Sequence, residues 1–196
     1  MGGKLTRYLR IFFREPQWEK VRGVFWFVVI TLVFHILWRI WADAIHFAPI
    51  PHLISVLQLF LVHQVYDISA FILRDILNVT LYTEPPVLIS KNGVRLILGE
   101  SASGLKQICQ FAILILLFRG SWKQKAWYIP AGIIILHLTN IFRIMCLVVI
   151  AMHWPQQIQY AHDNYLRILY YVVIFGLWLL WIEKISARSS RKAKTG

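Results

Sequence analysis

With 196 residues, 58% of them hydrophobic, and a mean hydropathy of +0.59, the chain is more apolar than the ~45–50% of an ordinary soluble domain, which excludes that class. The net charge of +12 does not point to nucleic acid, because the basic residues gather at both ends and in one short loop beside apolar spans. That is the pattern of cytoplasmic anchoring and of contact with anionic membrane lipids. The two cysteines, Cys109 and Cys146, fall in predicted spans and read as small apolar fillers, not as a disulfide framework.

Residues 1–22 carry Lys4, Arg7, Arg10, Arg14, Lys20 and Arg22, interleaved with Tyr8, Ile11 and Phe12. That suits either a short amphipathic surface helix or a solvated basic tail. Val24–Phe47 is the first predicted span. Ala42-Asp43-Ala44 looks like a signal-peptidase site, but the apolar stretch before it exceeds the roughly 7–15 residues of a signal peptide. An uncleaved anchor follows, with its basic flank in the cytoplasm. His35, Arg39 and Asp43 recur every four residues, so they share a helical face, and an Arg39–Asp43 pair is expected.

Residues 52–82 have helical apolar periodicity, but His52, Gln58, His63, Gln64, Asp67, Arg74, Asp75 and Asn78 interrupt it. The basic loop Arg119–Lys125 and the basic tail Ser186–Gly196 should lie in the cytoplasm with the N-terminus, which requires an even number of crossings. The expectation is therefore an interfacial or re-entrant helix pair on the outer side for 52–82, with four crossings elsewhere. His63 and Asp67 stand at i, i+4 with His46 and His52 nearby, but no closed ligand set appears, so no metal is expected.

Glu84-Pro85-Pro86 ends the helical segment. Val87–Ser90, Lys91-Asn92-Gly93 and Val94–Leu98 then predict a β-hairpin, because Asn-Gly between β-prone runs is a strong turn signal. The second span runs over Ser103–Phe118, with Ser101 or Ser103 as its cap. The third runs over Trp127–Trp154, with Pro130 in its first turn, and the fourth over Asn164–Ile185. Trp154, Tyr160, Tyr165 and Trp181 stand near span ends and suit the aromatic belts. The fold class is an all-α integral membrane protein of about four transmembrane helices, with an outer-side interfacial segment and a small hairpin. Residues 1–196 form one domain.

Three sites are candidates for chemistry. Glu100–Phe111, ESASGLKQICQF, puts two serines and a glycine where a helix should begin. It reads either as a plain helix cap or as a place where unpaired helix N–H groups and the dipole would favour an anion. On a continuous helix Ser101 and Ser103 would each point about 100° away from position 102, and Cys109 would share its face about 10 Å deeper. Asn140 and Arg143 are three positions apart and share a face, with Thr139 one turn before Arg143. An arginine so far into an apolar helix needs a partner, such as Glu100, or a functional cavity. His162 falls at the outer mouth of the fourth span, within Tyr160–Asn164, where a lone histidine is usually structural.

These motifs, in this order, resemble those of the exosortase/archaeosortase family of membrane cysteine transpeptidases. The nucleophile motif of that family reads approximately E-x-C-S-G-L, and this chain has Glu100-Ser101-Ala102-Ser103-Gly104-Leu105. Only the cysteine departs, as Ala102. Asn140-x-x-Arg143 is similar to the second motif, and His162 stands where exosortases carry a catalytic histidine. The resemblance covers residues 88–185. It implies a cysteine at 102 attacking a C-terminal sorting signal of a secreted protein, with His162 moving protons and Arg143 holding the thiolate or oxyanion. Glu100, Ser103, Gly104 and Asn140 would support them, and the amides of Ser103 and Gly104 would be the oxyanion donors. An acceptor amine on a lipid or glycan would receive the protein. The site would face the outer side of the cytoplasmic (inner) membrane, with no cofactor and no nucleic acid involved. Ala102 makes the chain as written inactive, and the alternative is a non-catalytic pseudoenzyme or membrane adaptor.

Overall fold

A computed structural model describes residues 16–44 and 51–186. The basic segment before Pro16, His46 and the tail after Ser186 lie outside the described residues, as do the side chains of Asp43 and His52. The expected Arg39–Asp43 pair falls there too.

Helix α1, Pro16–Ala44, forms a unit of its own. It starts eight residues before the predicted span (24 − 16), because proline fits a first helical turn and Trp18–Arg22 continues it without a breaker. Phe34, Trp38 and Trp41 stack along one side, with ring centroids 5.6 and 5.1 Å apart.

The second unit holds the rest. Helix α2, Pro51–Phe71, continues through a π-helical turn, Ile72–Ile76. This corrects the expected pair of helices: the run is single, because no proline or glycine divides it. Its polar residues do not break it. His63 and Asp67 are exposed, and Arg74 pairs with Asp75 at 3.0 Å on the surface. The opposite stripe, Val62, Val65, Tyr66, Ser69, Ala70 and Leu73, is buried at helical spacing. The helix ends near Asn78, whose φ is 50°, and not at Glu84.

The predicted hairpin is part of a three-stranded antiparallel sheet: β1, Leu81–Glu84; β2, Val87–Ser90; β3, Arg95–Ile97, in the order β1-β2-β3. Pro85-Pro86 turns β1 into β2, and Lys91–Gly93 turns β2 into β3. Leu81, Leu88 and Leu98 bury their side chains in the core beside α2. Asn92 Nδ2 donates to the Met152 carbonyl at 2.6 Å, which ties the second turn to a distant helix.

Helices α3, Leu105–Leu117, α4, Trp122–His153, and α5, Leu166–Leu180, complete the bundle. Short π-helical runs, Ala161–Tyr165 and Trp181–Ser186, flank α5. Helix α4 starts five residues earlier than expected (127 − 122), because Ser121 caps it by accepting from the Gln124 N–H. Pro130 therefore lies inside α4, not in its first turn.

Among the described residues, four helices are long and apolar enough to cross a membrane: Arg22–Trp41, Ile54–Ile76, Trp122–His153 and Leu166–Glu183. The expected number is met, but Ile54–Ile76 takes the place given to the second predicted span, since α3 has only 13 residues.

The second unit has two distinct ends. At the loop end, Lys125 Nζ donates to the Leu116 carbonyl at 2.7 Å and closes the C-terminus of α3. Trp181 is buried there and not placed in an aromatic belt: it packs on Tyr128 at 5.2 Å and donates to the Arg119 carbonyl at 3.2 Å. Midway, Gly132 admits the Phe111 ring where any Cβ would collide with it, so α3 and α4 approach closely. The sheet and the start of α3 lie at the other end.

Candidate functional site

The site is built on the chain's way into α3. After β3, Leu98 donates to the Pro86 carbonyl and Gly99 stays extended. Glu100–Ser103 then forms one 3₁₀ turn, with the Ala102 N–H on the Gly99 carbonyl at 2.8 Å. Gly104 follows in the left-handed conformation, φ 72° and ψ 3°. Its carbonyl accepts from the Gln107 and Ile108 N–H groups at 3.1 Å, and the Ser103 hydroxyl accepts from Leu105 N–H at 3.2 Å. Ser103 thus supports the helix start, as expected of a cap.

This entrance corrects the helical-wheel reading. Ala102 is not on the helix of Cys109, because the left-handed residue Gly104 separates the 3₁₀ turn from α3. The relative directions of Ser101, Ser103 and Cys109 do not follow from a regular 100° step. Ser103 is buried, whereas Ser101 and Glu100 are exposed. Ala102 is buried in an apolar core with Val65, Ala70, Leu73, Leu88, Ile141 and Ile144.

Helix α4 supplies the polar partners. Asn140 is 0% exposed, and its Nδ2 donates to the Ala102 carbonyl at 2.6 Å. A buried amide needs such a partner, and this bond fixes the turn's backbone. Arg143, 7% exposed, lies one turn along the same face. Its Nη2 is 2.7 Å from His162 Nε2. A guanidinium only donates, so Nε2 is the acceptor and the imidazole carries its proton on Nδ1. His162 stands in the π-helical run before α5, a distortion often found at functional positions. The buried arginine thus meets an imidazole, while the carboxylate suggested as its partner, Glu100, is on an exposed residue. Thr139 donates back to the Ile135 carbonyl at 2.8 Å, within its own helix.

One residue escaped the reading of the sequence. Tyr170 on α5 is 2% exposed and donates to the Leu136 carbonyl at 3.1 Å. A Cβ on Gly104 would stand 2.8 Å from the Tyr170 hydroxyl and 3.0 Å from Asn140 Nδ2. Tyr170 therefore packs, with Asn140, against the left-handed residue. The available signal was a tyrosine inside an apolar run, since a buried phenol must find a hydrogen-bond partner.

Fold and geometry define a multi-pass membrane protein whose bundle carries, at one end, a turn fixed by a buried asparagine and an arginine held against a histidine. The sequence profile of the transmembrane exosortases matches residues 20–182, and the chain belongs to that family. The match extends beyond the expected 88–185 to include α2 and most of α1. The family is one of cysteine transpeptidases that act on C-terminal sorting signals. No curated protein and no solved structure matches the chain.

Proposed function

We propose that this chain has the exosortase catalytic framework with its nucleophile position occupied by Ala102, so that it engages a sorting signal but does not cleave it. The observation that carries this reading is the Asn140 bond to the Ala102 carbonyl, with the Arg143–His162 pair one turn further along α4. A cysteine at 102 would attack the scissile carbonyl to give a tetrahedral oxyanion. Collapse would form a thioester and expel the amine, protonated by His162. An acceptor amine on a lipid or glycan would then attack the thioester, giving a new amide and returning the thiolate. Water in its place would give simple proteolysis. The Ser103 and Gly104 amides are the oxyanion donors in this scheme, helped by the fixed charge of Arg143. His162 Nε2 can take the thiol proton only after leaving Arg143, so that contact would open before the proton moves, and the guanidinium would then pair with the thiolate.

The test is Ala102→Cys in membranes, with a reporter ending in the C-terminal signal of a secreted protein encoded beside this gene. The expected result is a hydroxylamine-sensitive thioester and release of the signal peptide, neither of which forms with Ala102. A folded variant that forms no thioester refutes the cysteine-peptidase reading. Ala102 itself favours a second reading, a natural pseudoenzyme or adaptor, and the codon at position 102 of the native gene discriminates between the two.

We place the sheet and the 3₁₀ turn on the outer side of the cytoplasmic (inner) membrane, because the loop end carries Arg119, Lys123 and Lys125. If α2 and α1 both cross, the basic N-terminus falls outside. Keeping it inside requires one of them to lie along the surface. With Asn92→Cys, a membrane-impermeant maleimide should label intact cells, whereas Lys123→Cys should react only after permeabilisation. The reverse pattern overturns this orientation.

A further inference from the structure

We infer that the free edge of β3 receives the sorting signal as an added fourth strand, which lays the scissile bond over the turn at 102. This rests on the sorting-signal reading above and adds how the peptide is held.

The ladder sets which backbone groups are available. Ser90 N–H bonds to the Val94 carbonyl, and Leu98 N–H to the Pro86 carbonyl, with Leu88 opposite Leu96. Alternation in an antiparallel pair then turns the N–H and C=O of Arg95 and Ile97 away from β2. Among the described residues, no backbone hydrogen bond from outside the sheet reaches them. Ile97 is 71% exposed. An unpaired edge is a template for another strand, and soluble proteins usually cover it.

The occupant follows from position and chemistry. Two alternating donor–acceptor pairs match an extended main chain, the mode by which edge strands bind peptides. Only Leu98 and Gly99 separate Ile97 from the 3₁₀ turn. The five steps from Ile97 to Ala102 span at most about 18 Å, so a peptide paired on β3 ends within a few residues of position 102. The edge is also held in place. Leu98 is buried, and Asn92 fastens the preceding turn to Met152 of α4. On the face of the sheet away from the core, Ile97 stands opposite Val87 and Arg95 opposite Ile89, and these rows would meet alternate side chains of the peptide.

The test uses the chain as it stands, since Ala102 leaves the reporter uncleaved. A photo-crosslinking p-benzoylphenylalanine is placed by Ile97→p-benzoylphenylalanine, by Ser101→p-benzoylphenylalanine beside the turn, or by Tyr82→p-benzoylphenylalanine on the opposite edge strand. The expected result is capture of the signal region from positions 97 and 101, and not from 82. Capture at 101 without capture at 97 overturns the edge-strand inference and leaves the sorting-signal reading standing. Capture at neither overturns both. A crosslink from 97 to a second copy of the chain makes the edge a self-association surface and overturns the inference.

In the Ala102→Cys protein, Ile97→Pro removes one outward N–H and spares the bonds to β2, which Leu96 and Leu98 make. It should raise KM for the reporter by up to about tenfold, as the loss of one hydrogen bond implies. Ile97→Ala, which keeps the N–H, should change KM by less than about threefold. Equal KM values for the two variants would also overturn the inference.

Discussion

In a chain with cysteine at position 102, His162→Ala is expected to lower turnover by ~10²–10⁴-fold, the usual contribution of a positioned general base. Arg143→Lys should lower it by ~10²–10³-fold, the scale of a lost oxyanion donor. Lysine keeps the charge but not the planar fork that reaches His162 Nε2 at 2.7 Å. The two losses should differ in kind. Removing the Arg143 charge with Arg143→Gln should move alkylation of the thiol at 102 to higher pH, because a neighbouring cation stabilises the thiolate. His162→Ala should move it less. Iodoacetamide rates measured across pH separate these outcomes. If Arg143→Lys and His162→Ala both cleave at the starting rate, Arg143 is a buried structural charge and the proposed site is wrong. The Arg143–His162 contact adds a structural expectation: it should lengthen in the Ala102→Cys protein at alkaline pH, when a thiolate competes for the guanidinium.

Gly104→Ala is expected to cost about 2–5 kcal/mol. A left-handed L-residue costs about 1–2 kcal/mol, and forcing a methyl into a packed site adds about 1–3 kcal/mol. The new Cβ would stand 2.8 Å from the Tyr170 hydroxyl and 3.0 Å from Asn140 Nδ2. The second clash pushes on the bond that fixes the Ala102 carbonyl. Unfolding midpoints in detergent measure the loss. Tyr170→Phe alone loses the bond to the Leu136 carbonyl, but it removes the oxygen at the closer contact, so in that background Gly104→Ala should cost less by part of the packing cost and none of the backbone cost. An unchanged midpoint in the single variant would show that Gly104 is not held as described. The same variant in the Ala102→Cys background should lose activity beyond its loss of folded protein, because the turn itself moves.

The features that could be read from the sequence are those with local causes. Asn92-Gly93 between β-prone runs marks the turn from β2 to β3. The spacing of Asn140 and Arg143 puts both on the buried face of α4. Three features depended on contacts that no window of sequence contains. The first is α2, where the polar interruptions suggested a broken segment, yet His63, Asp67, Arg74 and Asp75 all sit on exposed positions of one helix. The second is β1, which reads as part of the helix before it, because Asn78 and not a proline or glycine makes the break. The third is the left-handed Gly104, which looks like an ordinary helix cap until Asn140 and Tyr170 are seen packed against it from two other helices.

The length of α3 sets how deep the 3₁₀ turn lies in the membrane. Thirteen residues rise only about 20 Å, while the hydrocarbon layer of a bilayer is about 30 Å thick. With the Leu117 end tied to the charged loop by Lys125, the 3₁₀ turn falls roughly 10 Å short of the opposite boundary, or the bilayer thins to meet it. Under the proposed mechanism the reacting carbonyl would then lie at or below the headgroup level, and not in bulk solvent. A freely soluble protein would not present its terminus there, whereas one already tethered by an apolar tail would. Under the proposed mechanism, water would then be the scarce nucleophile at the thioester, and a membrane-bound acceptor amine would be favoured over hydrolysis by supply, without any residue having to choose between them.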